Sequence, residues 1–130
     1  MAFLDVIDIS VNFGGLKALS DVSISVKKDQ VYALIGPKGA GKTTLFNVIS
    51  GFIAPSSGKV LFEDNEIQGK PAHKLTPIGV SRTFQNIRLL RDMSVLENVR
   101  LGQHCGLKQT MLDALLKTRK YRREEKESTE

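Results

Sequence analysis

Residues 36–43 read Gly36-Pro37-Lys38-Gly39-Ala40-Gly41-Lys42-Thr43. This is the pattern GxxxxGK[ST], and its flanks constrain the fold more than any other stretch. The apolar run Val31-Tyr32-Ala33-Leu34-Ile35 precedes it and reads as a buried strand. A helical pattern, Thr43-Thr44-Leu45-Phe46-Asn47-Val48-Ile49, follows. Strand, glycine loop and helix start, in that order, are the context in which this spacing makes a phosphate-binding loop. Glycines let the backbone curl inward, because they accept φ > 0 and carry no Cβ. The loop's N–H groups then form an anion nest. The next helix adds its free N–H groups and the positive end of its dipole. Lys42 has the reach for β- and γ-phosphates, and the Thr43 hydroxyl suits a magnesium ion. The plainer alternative is a Gly-rich turn between strand and helix.

Length and charge bound the rest. The chain has 130 residues, enough for one domain. Its net charge is +5. A basic balance suits nucleic acid or an acidic membrane, but the lysines and arginines form no single stripe. With no Trp and two Tyr, no base-stacking platform is evident, and no nucleic-acid partner beyond a nucleotide is expected. No apolar run approaches a membrane span. The opening Met1-Ala2-Phe3-Leu4-Asp5 lacks the basic and apolar regions of a secretory leader. The single cysteine, Cys105, excludes an internal disulfide and suits a reducing compartment.

Along the chain, residues 3–9 are rich in strand formers, and Asn12-Phe13-Gly14-Gly15 reads as a turn. From Ala18 to Val26, Leu19, Val22, Ile24 and Val26 stand against Ser20, Asp21, Ser23 and Ser25, a half-buried strand in its second half. Lys28-Asp29-Gln30 turns the chain toward 31–35. The helix after the loop is expected to end near Ser50, with Gly51 as its C′ residue. Lys59 to Glu63 is a short strand, and Asp64-Asn65 is turn chemistry before Glu66-Ile67. Residues 68–78 hold about one helical turn, and Gly79 to Phe84 reads as another short strand. Ser94-Val95-Leu96-Glu97 is a capping box, opening a helix to about Leu101. Met111, Leu112, Leu115 and Leu116 fall at helical spacing, and 117–130 is almost entirely polar.

These segments together resemble the N-terminal part of ABC transporter ATP-binding subunits, most of all those of branched-chain amino acid importers. The likeness is carried by Phe13-Gly14-Gly15-Leu16-Lys17-Ala18-Leu19, by Gly36 through Phe52, by Ser81-Arg82-Thr83-Phe84-Gln85-Asn86-Ile87-Arg88-Leu89-Leu90, by Met93-Ser94-Val95-Leu96-Glu97-Asn98-Val99 and by Tyr121-Arg122-Arg123-Glu124-Glu125. The resemblance implies an α/β P-loop NTPase core, incomplete here, with an N-terminal antiparallel β subdomain and a helical C-terminal segment. Residues 1–91 would hold the β subdomain and the P-loop core up to the Q-loop. Residues 92–130 would start the helical subdomain.

The resemblance also implies roles. Phe13 matches the aromatic that stacks on adenine, although an ordinary aromatic closing the β subdomain reads equally well. Gly36, Pro37, Lys38, Gly39, Ala40, Gly41, Lys42, Thr43 and Thr44 match the cradle for ATP and Mg2+. Lys42 and Gln85 take the catalytic positions, with Thr43 and Gln85 at the metal. Residues 86–91 match the surface facing a membrane permease. A second ATP-binding subunit would complete a dimer at the cytoplasmic face of the plasma membrane.

The sequence departs from the family in places. Lys38 stands where asparagine is usual. An added ammonium there would tighten phosphate binding, repel Lys42, or simply point into solvent. Lys28-Asp29-Gln30 replaces a Pro-Gly-Glu turn. Asn65 replaces a glycine, a mild change if that position is left-handed. After Gln85 the 130 residues contain no apolar run ending in Asp-Glu, no Leu-Ser-Gly-Gly-Gln-like segment and no switch histidine; His73 and His104 match none of these roles. The expectation is an N-terminal portion that binds nucleotide with little turnover, and whose 31–35 segment lacks its neighbours. A small-molecule kinase is the rival P-loop reading, disfavoured by Thr83-Phe84-Gln85 and the antiparallel opening.

Overall fold

A computed structural model describes residues 2–84 and 89–102. They fall into two compact units, one ending at Arg82 and the other beginning at Thr83. In chain order, the first unit holds β1 (Leu4–Phe13), β2 (Leu16–Val26), α1 (Lys42–Ile49), β3 (Ser57–Phe62), β4 (Asn65–Glu66), α2 (Ala72–Leu75) and a 3-10 turn, Thr76–Ile78. The strands form one sheet in the order β2-β1-β3-β4, and every pair is antiparallel. This is the expected antiparallel β subdomain leading into a P-loop and its helix.

Two left-handed aspartates set the phase of the sheet. In β1 the buried apolar positions run Val6, Ile9, Val11, and in β2 Leu19 is buried while Val22 and Ile24 are half-buried on the same face. Strict alternation would not give a step of three. The extra residue is absorbed by bulges at Asp8 (φ +49) and Asp21 (φ +47), where the β1–β2 register shifts. A left-handed non-glycine costs energy, and a mirrored pair of contacts offsets it. The Asp8 N–H donates to Ser23 Oγ, which donates to Asp8 Oδ1, both at 2.9 Å. The Asp21 N–H donates to Ser10 Oγ, which donates to Asp21 Oδ1, also at 2.9 Å. Gly58 of β3 lies against the first bulge at φ +90; a Cβ there would stand 2.4 Å from the Asp8 carbonyl oxygen.

The core lies between this sheet and α1. Val6, Ile9, Val11, Leu19, Val60 and Phe62 meet Leu45 and Val48, with Ile67 and Leu75 closing the side. Phe3 packs edge-on against Phe62, with ring centroids 4.9 Å apart. α1 ends as expected. Ser50 caps it, Gly51 turns left-handed at φ +73, and a Cβ on Gly51 would meet the Lys70 carbonyl oxygen at 2.4 Å. Arg82 donates to Asn47 Oδ1 at 2.6 Å, tying the end of this unit to α1.

Three expectations are corrected. Residues 31–35 form no strand and are not buried: Val31 is 101% exposed and Ile35 90%. An apolar run becomes a strand only where another strand takes up its N–H and C=O groups, and none of the described strands pairs with it. The run 79–84 is likewise irregular. At the β3–β4 hairpin the left-handed residues are Glu63 (φ +46) and Asp64 (φ +63), with Asn65 already in β4. This is a two-residue turn with both central residues at positive φ. Asn65 serves by its side chain, donating from Nδ2 to the Glu63 carbonyl oxygen at 2.9 Å.

The second unit contains α3 (Val95–Gly102). Its capping box is formed as read. Ser94 N–H and Oγ both donate to Glu97 Oε2 at 2.7 Å, and the Glu97 N–H donates back to Ser94 Oγ at 3.3 Å. Those contacts hold the Glu97 carboxyl below its ordinary pKa, the Ser94 hydroxyl first and the Ser94 N–H second. Asn98 stitches the preceding turn to the helix: its Oδ1 accepts from the Leu90 N–H, and its Nδ2 donates to the carbonyls of Leu90 and Ser94.

Candidate nucleotide site

The helix α1 starts at Lys42, immediately after Gly41, whose φ of +83 turns the loop into the helix. Only glycine fits there for a second reason: a Cβ would stand 2.6 Å from Leu19 Cδ2 and 2.8 Å from the Ala18 carbonyl oxygen. The helix start is thus pressed onto β2, which fixes where its free N–H groups point. Gly39, at the loop tip, is also left-handed (φ +90), with open space around it. The Ala40 N–H donates to the Pro37 carbonyl oxygen at 3.3 Å.

Lys42 reaches back across the loop. Its Nζ donates to the carbonyl oxygens of Gly36 and Pro37, both at 2.6 Å. The ammonium is held over the loop's concave side, on partners that a stronger acceptor would displace. Charged oxygens make stronger hydrogen bonds than neutral carbonyls do.

An open cavity of about 420 Å³ lies over this loop. It is lined by Lys38 through Thr44 together with Phe13, Leu16, Lys17 and Ala18. The structure therefore brings Phe13 and the glycine loop to one pocket, although 22 positions separate Phe13 from Ile35. Phe13 closes β1, remains 48% exposed and lines the cavity. Sequence reasoning placed it in a turn; it is the last residue of the strand, paired with Leu16 across the Gly14-Gly15 reversal.

Leu16, Lys17 and Ala18 were missed as lining residues. The signal was present, since a two-residue reversal after Phe13 must carry the next residues back beside it. Gln85 lies outside the described residues, as do His104, Cys105 and the run 121–125.

The donor set fits a polyanion. The cavity offers lysine ammonium groups, two threonine hydroxyls and a helix N-terminus, and no Asp or Glu lines it. It does not form a resident metal site by itself, for no group of three His, Cys, Asp or Glu occurs among the described residues. A magnesium ion here would take the Thr43 hydroxyl and otherwise depend on oxygens brought with the ligand, as Mg2+ commonly does.

Comparison with known proteins places the chain in a family. A family model described as ABC transporter matches residues 19–129. The high-affinity branched-chain amino acid transport ATP-binding protein BraF of Pseudomonas aeruginosa is 45% identical over 98% of this chain and 50% of its own length. LivG of Escherichia coli, named in the same way, is 42% identical over 96% of this chain and 49% of its own. The chain spans about half the length of the curated relatives it matches. Among solved structures, an ATP-binding cassette of an ABC transporter in its ADP conformation is 42% identical, with a TM-score of 0.74 over 92% of this chain and 46% of that one. A nucleotide-free cassette superimposes equally well, at 41% identity. The fold is that of part of the ABC ATPase core, and the chain belongs to the ABC transporter family.

Proposed function

We propose that the chain is the ATP-binding, energy-coupling subunit of an importer for branched-chain amino acids. The observation that carries this is the pocket lined together by residues 38–44, Lys42 among them, and by Phe13, in a chain 45% identical to BraF. In this reading Phe13 stacks on the adenine and the loop amides surround the phosphates. Lys42 leaves the Gly36 and Pro37 carbonyls for phosphate oxygens. Thr43 and Gln85 hold Mg2+, and Gln85 also orients the attacking water. Residues 1–91 bind nucleotide and 92–130 begin the helical subdomain.

The partners follow from the same reading. Residues 86–91 face a membrane permease at the cytoplasmic side, and a second ATP-binding subunit completes the dimer. The second unit supports a docking role. A mostly apolar groove of about 380 Å³ is lined by Leu89, Leu90, Met93, Val95 and Val99, together with Arg91 and Asn98. Among the described residues no helix is long and apolar enough to cross a membrane, so membrane association would run through such a partner.

A second reading separates binding from hydrolysis: the described pocket offers a phosphate cradle and no carboxylate to position a water. P-loop hydrolysis needs a positioned water and stabilised charge as well as a phosphate cradle. The alternative is a nucleotide- or permease-binding module that does not hydrolyse. One pair of assays tests both. Calorimetric titration with Mg-ATP should give saturable heat that Lys42→Ala abolishes, and heat without saturation in the parent chain rejects nucleotide binding. Phosphate release that Lys42→Ala removes would reject the non-hydrolysing alternative.

A further inference from the structure

The charge around the cavity is one-sided. Lys17, Lys38 and Lys42 all line it, and no carboxylate does. Two of these ammonium groups are engaged. Lys17 has the Asp21 carboxylate 3.8 Å away, and Lys42 donates to the Gly36 and Pro37 carbonyls. Lys38 makes no hydrogen bond or ion pair among the described residues. It sits on the exposed loop tip, between Pro37 and the left-handed Gly39. Two cations on one short loop repel each other, and no contact of Lys38 offsets that repulsion. A polyanion in the cavity would offset it, by an amount that grows with the anion's charge.

We propose that Lys38 determines specificity by reading the charge of the phosphate tail, so that this pocket separates tri-, di- and monophosphates more steeply than a loop carrying only Lys42. The proposal rests on the nucleotide-binding reading above and adds the basis of selection within it. Lys38 interacts at long range, through solvent, with whatever number of phosphate charges the cavity holds. Its effect is therefore largest for ATP, smaller for ADP and near zero for AMP. It is also screened by salt, because the residue is exposed.

The test is titration of the 130-residue chain with ATP, ADP, AMP and inorganic tripolyphosphate, without magnesium, at low and at raised salt. Lys38→Asn is expected to weaken ATP and tripolyphosphate about five- to tenfold at low salt, ADP about two- to threefold and AMP by less than twofold. The differences should shrink at raised salt. Lys38→Arg keeps the charge and should retain the parent ratios. Lys28→Asn removes a lysine from the turn before residue 31 and controls for net charge; it should leave all four affinities within twofold.

A parent chain that binds ATP while Lys38→Asn matches it within twofold overturns the role of Lys38 and leaves the nucleotide reading standing. Equal losses for ATP and AMP also overturn it, since charge counting would then be absent. A parent chain that binds none of the four ligands overturns both readings. If Lys38→Asn loses its folded circular dichroism spectrum, Lys38→Met and Lys38→Arg carry the comparison. Loss of folding in all three would make Lys38 a structural residue and overturn the proposal.

Discussion

At the scale of single residues, this molecule depends on positions where backbone geometry admits one kind of side chain. Gly58 is the clearest. It combines φ +90 with a Cβ position 2.4 Å from the Asp8 carbonyl oxygen and 2.5 Å from that of Ile7, both backbone atoms with no room to move aside. Gly58→Ala is expected to cost about 2–4 kcal/mol, read as a lower denaturant midpoint. A midpoint unchanged within the error of the extrapolation would show that the bulge does not have this geometry. Gly41 is constrained in the same way by Leu19 and Ala18, but there the consequence belongs to the site. The Lys42 reach and the glycine loop were legible from residues 36–43 alone, because the motif is local. The Ser10–Asp21 and Ser23–Asp8 pairs were not. Their partners stand 11 and 15 positions apart, and only the strand register says that they meet. The step of three between Leu19 and Val22 was the visible trace of a bulge.

At the scale of elements, α3 makes a prediction about acidity. The Glu97 carboxyl is held below its ordinary pKa by the Ser94 hydroxyl and N–H. A depressed folded pKa means that the cap stabilises the helix above the unfolded carboxylate pKa, near neutrality included. That contribution disappears as pH falls through the folded value. Ser94→Ala should therefore destabilise the chain more at pH 7 than in acid, where only the cap bond from the Glu97 N–H to the Ser94 hydroxyl remains to be lost. Equal losses at both acidities would show that the box does not act through the carboxylate. The Lys59–Glu66 pair across β3 and β4, at 2.7 Å, follows the same rule: the Lys59 hydrogen bond lowers the Glu66 pKa, and its help fades in acid. A second prediction contrasts two apolar residues. Ile9 is fully buried while Val31 is fully exposed. In this 130-residue chain Ile9→Ala should cost about 2–5 kcal/mol, and Val31→Ser about 0.5 kcal/mol or less, both by urea unfolding. The apolar pattern read 31–35 as a buried strand and 3–9 only as rich in strand formers. It could not do better, because composition reports what a segment would bury and not whether a neighbouring strand is there to bury it.

At the scale of the whole molecule, the sheet and the loop are one device. β1 and β2 bring Phe13 and Leu16–Ala18 to the cavity that the loop lines, and Gly41 locks α1 onto β2. Ligand binding to the folded state alone raises stability by mass action. ATP at a hundred times its dissociation constant should therefore stabilise the chain by about 2.7 kcal/mol. For a first unit of this size that is on the order of 10 °C or more in melting temperature. Lys42→Ala should melt close to the parent without nucleotide and show no such rise. A similar rise in the variant would place the ligand elsewhere.

The sequence by itself determined the parts whose partners are close along the chain: the glycine loop, the start and stop of α1, the capping box at Ser94 and the strand-rich opening. The loop, the helix ends and the box are decided by hydrogen bonds spanning a few residues, so residue types at fixed spacing suffice, and the opening was legible as strand from its residue types. Only the tertiary structure decided the bulges, the exposure of Val31 and Ile35, the turn at Glu63-Asp64 and the meeting of Phe13 with the loop. These depend on which distant backbone groups and side chains are brought alongside. That is a property of the folded sheet, and no window of neighbouring residues contains it.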